Sequence, residues 1–290
     1  MKKLVIATIF ILFITAIYFD YKPDKNISLP ILQLYPETIY QGDPIFIIIN
    51  ASSTPKSVLF DKKEIKISKY NDSYIGLVGI DLHEVKKDHQ INLELMNGIK
   101  IDKSIVLVMR MKEEKPLGIP DSLGGNTKKA GESLLSNITK ENASINNIKL
   151  DPKSFWQNSK FNPPLKTLFI TDNYGYSRNT VGYSIAHKGT DFRAPEGTEV
   201  MVINKGIVRI SRLYTLSGNT IVIDHGSGLV SIYMHLSKLN VKEGDIVESG
   251  QVIGLSGKTG YVLGPHLHLA IKINGISIDP AKFLTYFDML

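Results

Sequence analysis

The sequence predicts a mainly β protein in four parts: a signal peptide or membrane anchor over 1–26, a small β-sandwich domain of immunoglobulin-like size over 27–111, a linker with a short helix over 112–160, and an antiparallel β domain over 161–290. Three observations carry this. Short runs of β-branched and aromatic residues recur in two blocks of the chain, bounded by turn residues. A polar stretch broken by Pro and Gly separates the blocks. After Phe161 no helical period matches the strand runs in length.

In chain order, Lys2 and Lys3 precede an uncharged apolar run from Leu4 to Phe19 that Asp20 closes, the layout of a secretory signal or signal anchor. The run is shorter than the roughly 20 residues that span a bilayer, yet no small-x-small cleavage site stands near Ala16-Ile17-Tyr18, so an uncleaved anchor is expected. Strand runs then follow at Ile45–Ile49, Glu64–Ile67, Tyr74–Ile80 and Ile91–Met96, and Asn97-Gly98 predicts a type I′ turn into Ile99–Val108. This block contains no catalytic cluster; His83 and His89, among Glu84, Lys86, Lys87 and Asp88, read as solvated loop or strand-end residues. In the linker, Pro116, Pro120, Gly124 and Gly125 interrupt regular structure, while Ala130, Leu134, Leu135 and Ile138 are spaced for one helix face. That helix could lie against either domain, and against the second it would cover the cleft. Trp156, with Phe155 and Phe161, is expected to dock the end of the linker on that domain.

Composition narrows the chemistry. The formal charge of +6 is spread along the chain and gives no basis for nucleic-acid binding. Cysteine is absent, which removes thiolate metal sites and leaves imidazole and carboxylate as ligands. Five of the seven histidines lie between His187 and His268. In Gly264-Pro265-His266-Leu267-His268-Leu269, strand alternation puts His266 and His268 on one face and Leu267, Leu269, Ile271 and Ile273 in a core. In Ser231–Leu236 the same rule groups Ile232, Met234 and Leu236, and assigns Ser231, Tyr233 and His235 to an open polar face. His225, in phase with Ile221 and Ile223 before a glycine turn, reads as structural. His187-Lys188-Gly189-Thr190-Asp191 reads as a tight loop or bent strand that brings an imidazole to a carboxylate. His187, Asp191 and one of His266 and His268 would supply three zinc ligands and leave a position open, as a catalytic site requires.

The motifs His187-x-x-x-Asp191, Ala194-Pro195-Glu196-Gly197-Thr198, Gly218 through Gly226, Tyr233-Met234-His235-Leu236 and Gly264-Pro265-His266-Leu267-His268 stand in an order that resembles the lysostaphin/LytM-type zinc metallopeptidases. The resemblance runs from about Phe161 to Phe283. It implies a peptidoglycan endopeptidase on a compact antiparallel β fold with one catalytic Zn²⁺, bound by His187, Asp191 and His268. It also implies that His235 and His266 are the catalytic histidines, assisting attack of a zinc-activated water on peptide stems or cross-links. Tyr174-Gly175-Tyr176-Ser177-Arg178 resembles the family's aromatic-Gly-x-x-Arg segment. Tyr233 and Asn219 are candidates for substrate contact or for structural hydrogen bonding. The expected partners are peptidoglycan as substrate, the inner membrane through the N-terminal anchor and a regulatory envelope protein, with the chain exported to the periplasm and tethered there. An inactive regulator that activates another cell-wall hydrolase is the alternative; relatives of that kind lack ligands that are all present here. A binding module with structural zinc would need a fourth ligand, and the natural set has three.

Overall fold

The computed structural model describes residues 30–111, 113–116, 119, 125–157, 160–180 and 182–288; the expected anchor over 1–26 lies outside them. Among the described residues no helix is long and apolar enough to cross a membrane. Among the described residues strand predominates over helix, and there are two helices, α1 (Lys128–Asn146) and α2 (Pro280–Asp288).

The N-terminal block folds as two facing sheets. One orders its strands Ile31–Tyr35, Pro44–Asn50, Ser73–Gly79 and Ile67–Tyr70; the other runs Ile39–Tyr40, Lys100–Val108, Asp88–Leu95, Pro55–Phe60 and Lys63–Glu64. Alternate residues such as Ile45, Ile47, Ile49, Val58, Ile91 and Leu93 fill the space between them, as period-two burial requires. The expected strand Glu64–Ile67 is split, because Ile65 turns inward and donates its N–H to Val58 O (2.8 Å). The Asn97-Gly98 turn is not type I′, which needs positive φ at both central residues: Gly98 has φ +85° and Asn97 is not among the positive-φ residues. His89 is buried, not solvated; its ring stacks on Phe60 at 5.1 Å and its Nδ1 meets Asp61 Oδ2 at 2.7 Å.

The C-terminal block is built on a long antiparallel sheet ordered Ile170–Asp172, Thr190–Arg193, His266–Ile273, Leu229–Leu236, Gly218–Gly226, Gly206–Tyr214 and Ile246–Val247. A smaller sheet of Glu199–Met201, Val252–Leu255 and Lys238–Leu239 packs beside it. Ahead of Ile246–Val247, Lys242–Asp245 forms a turn closed by Lys242 N–H to Asp245 Oδ2 (2.9 Å).

Helix α1 is longer than the sequence stripe suggested. Thr127 caps it, its hydroxyl accepting from Ala130 N–H at 3.2 Å, and the buried face continues from Ala130 and Leu134 to Glu141 and Ile145. Ile145 closes over Ile210, Val222, Val230, Ile232 and Ala270, so the helix lies across one face of the long sheet. Helix α2 was not foreseen. Asp279 Oδ1 accepts from Ala281 N–H (3.1 Å) and Lys282 N–H (3.3 Å), and Pro280 occupies the first turn, where a missing N–H is harmless. Phe283 and Phe287, one turn apart, pack on Phe46 at 5.5 and 5.3 Å. Trp156 is buried against Tyr70, Phe161 and Phe287. A single apolar cluster therefore runs from Phe46, Ile48, Ile75 and Leu77 into the C-terminal core. Beside it, the fully buried Asp43 carboxylate accepts from Arg110 Nη2 (2.7 Å), Lys282 Nζ (2.8 and 2.9 Å) and Tyr40 N–H (3.0 Å).

Candidate metal centre

Asp191 and His268 are register partners on the neighbouring antiparallel strands Thr190–Arg193 and His266–Ile273, so both side chains leave the sheet on the same side. His187 enters from the preceding hairpin, its N–H donating to Tyr176 O at 2.9 Å. The result is a compact triad. His187 Nε2 lies 3.1 Å from Asp191 Oδ1 and 3.2 Å from His268 Nδ1, and His268 Nδ1 lies 2.6 Å from Asp191 Oδ1. Gly189 makes this approach feasible, because a Cβ there would stand 2.3 Å from His268 Nε2.

The surroundings orient each donor, as outer partners do around metal ligands. His187 Nδ1–H donates to Asn173 O (2.7 Å), which leaves Nε2 unprotonated and pointing at the triad. Arg178 Nη2 donates to Asp191 Oδ2 at 2.8 Å, and Arg178 Nε reaches Tyr176 Oη at 2.7 Å. Tyr176 in turn donates to Asp172 Oδ2 (2.7 Å), which Lys115 neutralises. Burial by itself would raise the Asp191 carboxyl, but the imidazoles of His268 and His187 hold it far below the usual carboxylate range. Burial lowers His268, against the pull of Asp191.

Facing the triad are His235 and His266, their ring centroids 5.0 Å apart, with His235 also 6.0 Å from His268. His266 Nδ1–H donates to Gly264 O (2.9 Å), and its Nε2 lies 3.8 Å from Asp191 Oδ1. His235 reaches the site by an unexpected route. Simple alternation fails here: Ser231 and Tyr233 are fully buried in the core, while Ile232 and Met234 face α1. Pairing between Gly218–Gly226 and Leu229–Leu236 slips from Ile221↔Tyr233 to Asn219↔Leu236, a bulge that adds one residue. His235 absorbs it with φ +63° and swings its ring out of the core. Its N–H donates to Ser217 O (2.9 Å) and its Nδ1–H to Thr259 O (3.0 Å), so Nε2 faces the site. Burial, then the adjacent His268 and His266, lower it to about 3, which leaves the ring neutral.

The five residues singled out in the sequence, His187, Asp191, His235, His266 and His268, thus meet at one place. Tyr233 and Asn219 do not. The Tyr233 hydroxyl accepts from Ile203 N–H and lies 3.0 Å from Ser231 Oγ, which is 2.7 Å from the fully buried His225. Asn219 Nδ2 donates to Leu236 O (3.0 Å), behind His235. Glu141 of α1 was missed: its carboxylate accepts from Leu216 N–H (2.7 Å), Ser217 N–H (3.1 Å) and Ser217 Oγ–H (2.6 Å), fixing the turn whose carbonyl holds His235. A charge in register with the apolar stripe of α1 was the available signal.

The antiparallel β-sheet thus carries a His–Asp–His triad that could hold a metal ion, beside two further imidazoles. Residues 185–280, about a third of the chain, match Peptidase family M23. The chain is 28% identical over 251 residues to an uncharacterized metalloprotease of Buchnera aphidicola, covering 82% of this chain and 61% of that protein. It is 46% identical over 96 residues to the peptidoglycan DD-endopeptidase ShyA of Vibrio cholerae, covering 33% of this chain and 22% of ShyA. It therefore spans less than two thirds of either relative. The crystal structure of a peptidase M23 from Pseudomonas aeruginosa shares the fold, with a TM-score of 0.62 at 23% identity over 84% of this chain and 94% of that one.

Proposed function

We propose that the protein is a zinc-dependent endopeptidase that hydrolyses peptide stems or cross-links of bacterial peptidoglycan. One observation carries the reading: His187 Nε2, Asp191 Oδ1 and His268 Nδ1 converge within 3.2 Å of one another while His235 and His266 face them. Two imidazole nitrogens and one carboxylate oxygen are a donor set that suits Zn²⁺, and this spread is one that an ion with bonds of about 2.0–2.2 Å spans. When bound, zinc supplies Lewis acidity, polarising the scissile carbonyl and lowering the pKa of water.

The remaining chemistry belongs to side chains of this chain. His235 and His266 each have Nδ1–H committed to a backbone carbonyl, so each presents Nε2 to the substrate side. A nitrogen held in that way can take a proton from the attacking water or return one to the leaving amine. Arg178 offsets the Asp191 charge and keeps the carboxylate from rotating away. Relatives that are peptidoglycan DD-endopeptidases support the substrate class. The regulator reading is disfavoured because no ligand position is substituted. Incubating the full chain with purified sacculi, with and without chelator and beside His268→Ala, tests the proposal; if folded, zinc-loaded protein released no muropeptides, the enzyme reading would fall. The same reading puts the protein outside the cytoplasm, tethered through residues 1–26, and membrane fractionation of cells expressing it checks that.

A further inference from the structure

The triad opens into a cavity of about 570 Å³ between α1 and the long sheet. Its far end holds a charge that the proposed hydrolysis does not use. Lys272 lies on the same strand face as His268, four residues further along His266–Ile273, which is about 13 Å at the rise of a β-strand. The residue is only 8% exposed. Among the described residues its ammonium makes one hydrogen bond, to the neutral Asn146 Oδ1 at the end of α1 (2.7 Å), and has no ion-pair partner. The charge that acts on it is like-signed: burial, then Lys188, pull Lys272 down to about 8. Lys188 is exposed and lines the same cavity.

Neither the acid of the triad nor the cavity's own acids, Glu141 and Asp81, answer this charge. Asp191 is taken by the triad and Arg178. The Glu141 carboxylate is filled by Leu216 and Ser217, and Asp81 accepts from His83 N–H (2.8 Å). A buried ammonium without a counter-charge is costly to keep. The cost is recovered when a ligand brings the anion, and a carboxylate bound there gains a charge-assisted hydrogen bond.

We infer that Lys272, with Lys188, forms a carboxylate subsite that binds an anionic group of a peptide whose backbone extends toward the metal centre, and so selects acidic stem peptides over neutral glycine bridges. This rests on the peptidase reading for the nature of the peptide, while the anion site stands on the geometry. Leu135, Ile138 and Ile145 of α1 form the apolar wall opposite.

The test is calorimetric titration of the full chain with the stem tetrapeptide L-Ala-γ-D-Glu-diaminopimelate-D-Ala and with the same peptide amidated at its carboxyl groups. The wild type is expected to bind the acidic form at least about tenfold more tightly. Lys272→Met should abolish the preference, and Lys272→Arg should keep most of it. Loss of an unpaired buried charge should not lower the melting temperature of Lys272→Met, and an unchanged melt shows that the variant folds. Equal binding of the two peptides by the wild type, binding of neither, or a preference retained in Lys272→Met would overturn the inference. The peptidase reading is judged separately: acid-selective binding without muropeptide release would sink the enzyme and leave the subsite.

Discussion

Replacing Glu141 by Ala tests how far the site depends on a residue from outside the family-matched region. Glu141 is 8% exposed and its carboxylate accepts three hydrogen bonds, two from the backbone N–H groups of Leu216 and Ser217 and one from the Ser217 hydroxyl. Hydrogen bonds to a charged group contribute about 1.5–3 kcal/mol each, and a stranded buried donor costs about 1–3 kcal/mol. Water can reach part of the space that a truncated side chain leaves, so a net loss of about 3 kcal/mol is expected. For a domain of this size that lowers the melting temperature by roughly 6–12 °C. Glu141→Gln, which keeps one acceptor oxygen, should lose about half as much. The turn at 216–217 also holds the N–H of His235, a residue whose positive φ is uncommon outside glycine. Amide hydrogen exchange should therefore quicken at residues 216, 217 and 235 together. A melting temperature within about 1 °C of wild type, with unchanged protection at these amides, would refute the reasoning.

Three further outcomes follow from other parts of the molecule. His225 is fully buried, with Nδ1–H donated to Lys205 O, and burial lowers its pKa from 6.5 to about 4. Its native form stays neutral while the unfolded chain protonates, so its contribution is complete above pH 6.5 and is lost by up to about 1.4 kcal/mol per pH unit down to about pH 4; urea unfolding at pH 7 and pH 5 should show a steeper loss than in His225→Gln, and equal slopes would contradict it. Asp43→Asn leaves Lys282 without its ion-pair partner and Arg110 with Asp279 alone at 3.5 Å, and since both cations are partly exposed the expected cost is about 2 kcal/mol, below the range for a wholly buried pair; thermal unfolding measures it, and no change would show that the contact is incidental. Gly189→Ala would put a methyl group 2.3 Å from His268 Nε2 and 2.7 Å from Leu269 O, displacing a ligand; competition with a zinc-binding dye should show affinity down at least about tenfold, and an unchanged affinity would mean that zinc does not use His268.

Part of the candidate metal centre was legible because Asp191 and His268 sit on regular strands, where period two dictates which side chains share a face. His266 and His268 follow that rule, and Leu267, Leu269, Ile271 and Ile273 enter the core as it requires. His235 does not follow it. The motif resemblance included the residue, but the physical route assumed unbroken alternation, and the bulge that turns it outward has no local composition cue. Ser231 and Tyr233 were misassigned for the same reason, and their buried polar groups are satisfied by one another, His225 and Ile203 N–H. Helix α2 escaped notice because nine residues carry little periodicity, although Asp279-Pro280 is a helix-start signal. His89 misled through its charged neighbours: its burial depends on Phe60 and Asp61, which only sheet pairing brings near. Glu141 belongs to the same class, since the groups it serves lie 75 residues away in the chain.

The packing of α2 against the N-terminal sheets has a consequence for how the chain folds. Asp43 and Lys282 are 239 residues apart in sequence, and Phe46 finds its partners at Phe283 and Phe287. The first β block therefore cannot finish one of its own surfaces until nearly the whole chain is available. Contacts of such long range slow folding and leave apolar surface open in the interim. During synthesis, Phe46, Ile48, Ile75 and Leu77 would wait uncovered, which makes this sheet face the place where a chaperone has most to protect. Once α2 docks, the shared core should make the two blocks melt in one calorimetric transition rather than two.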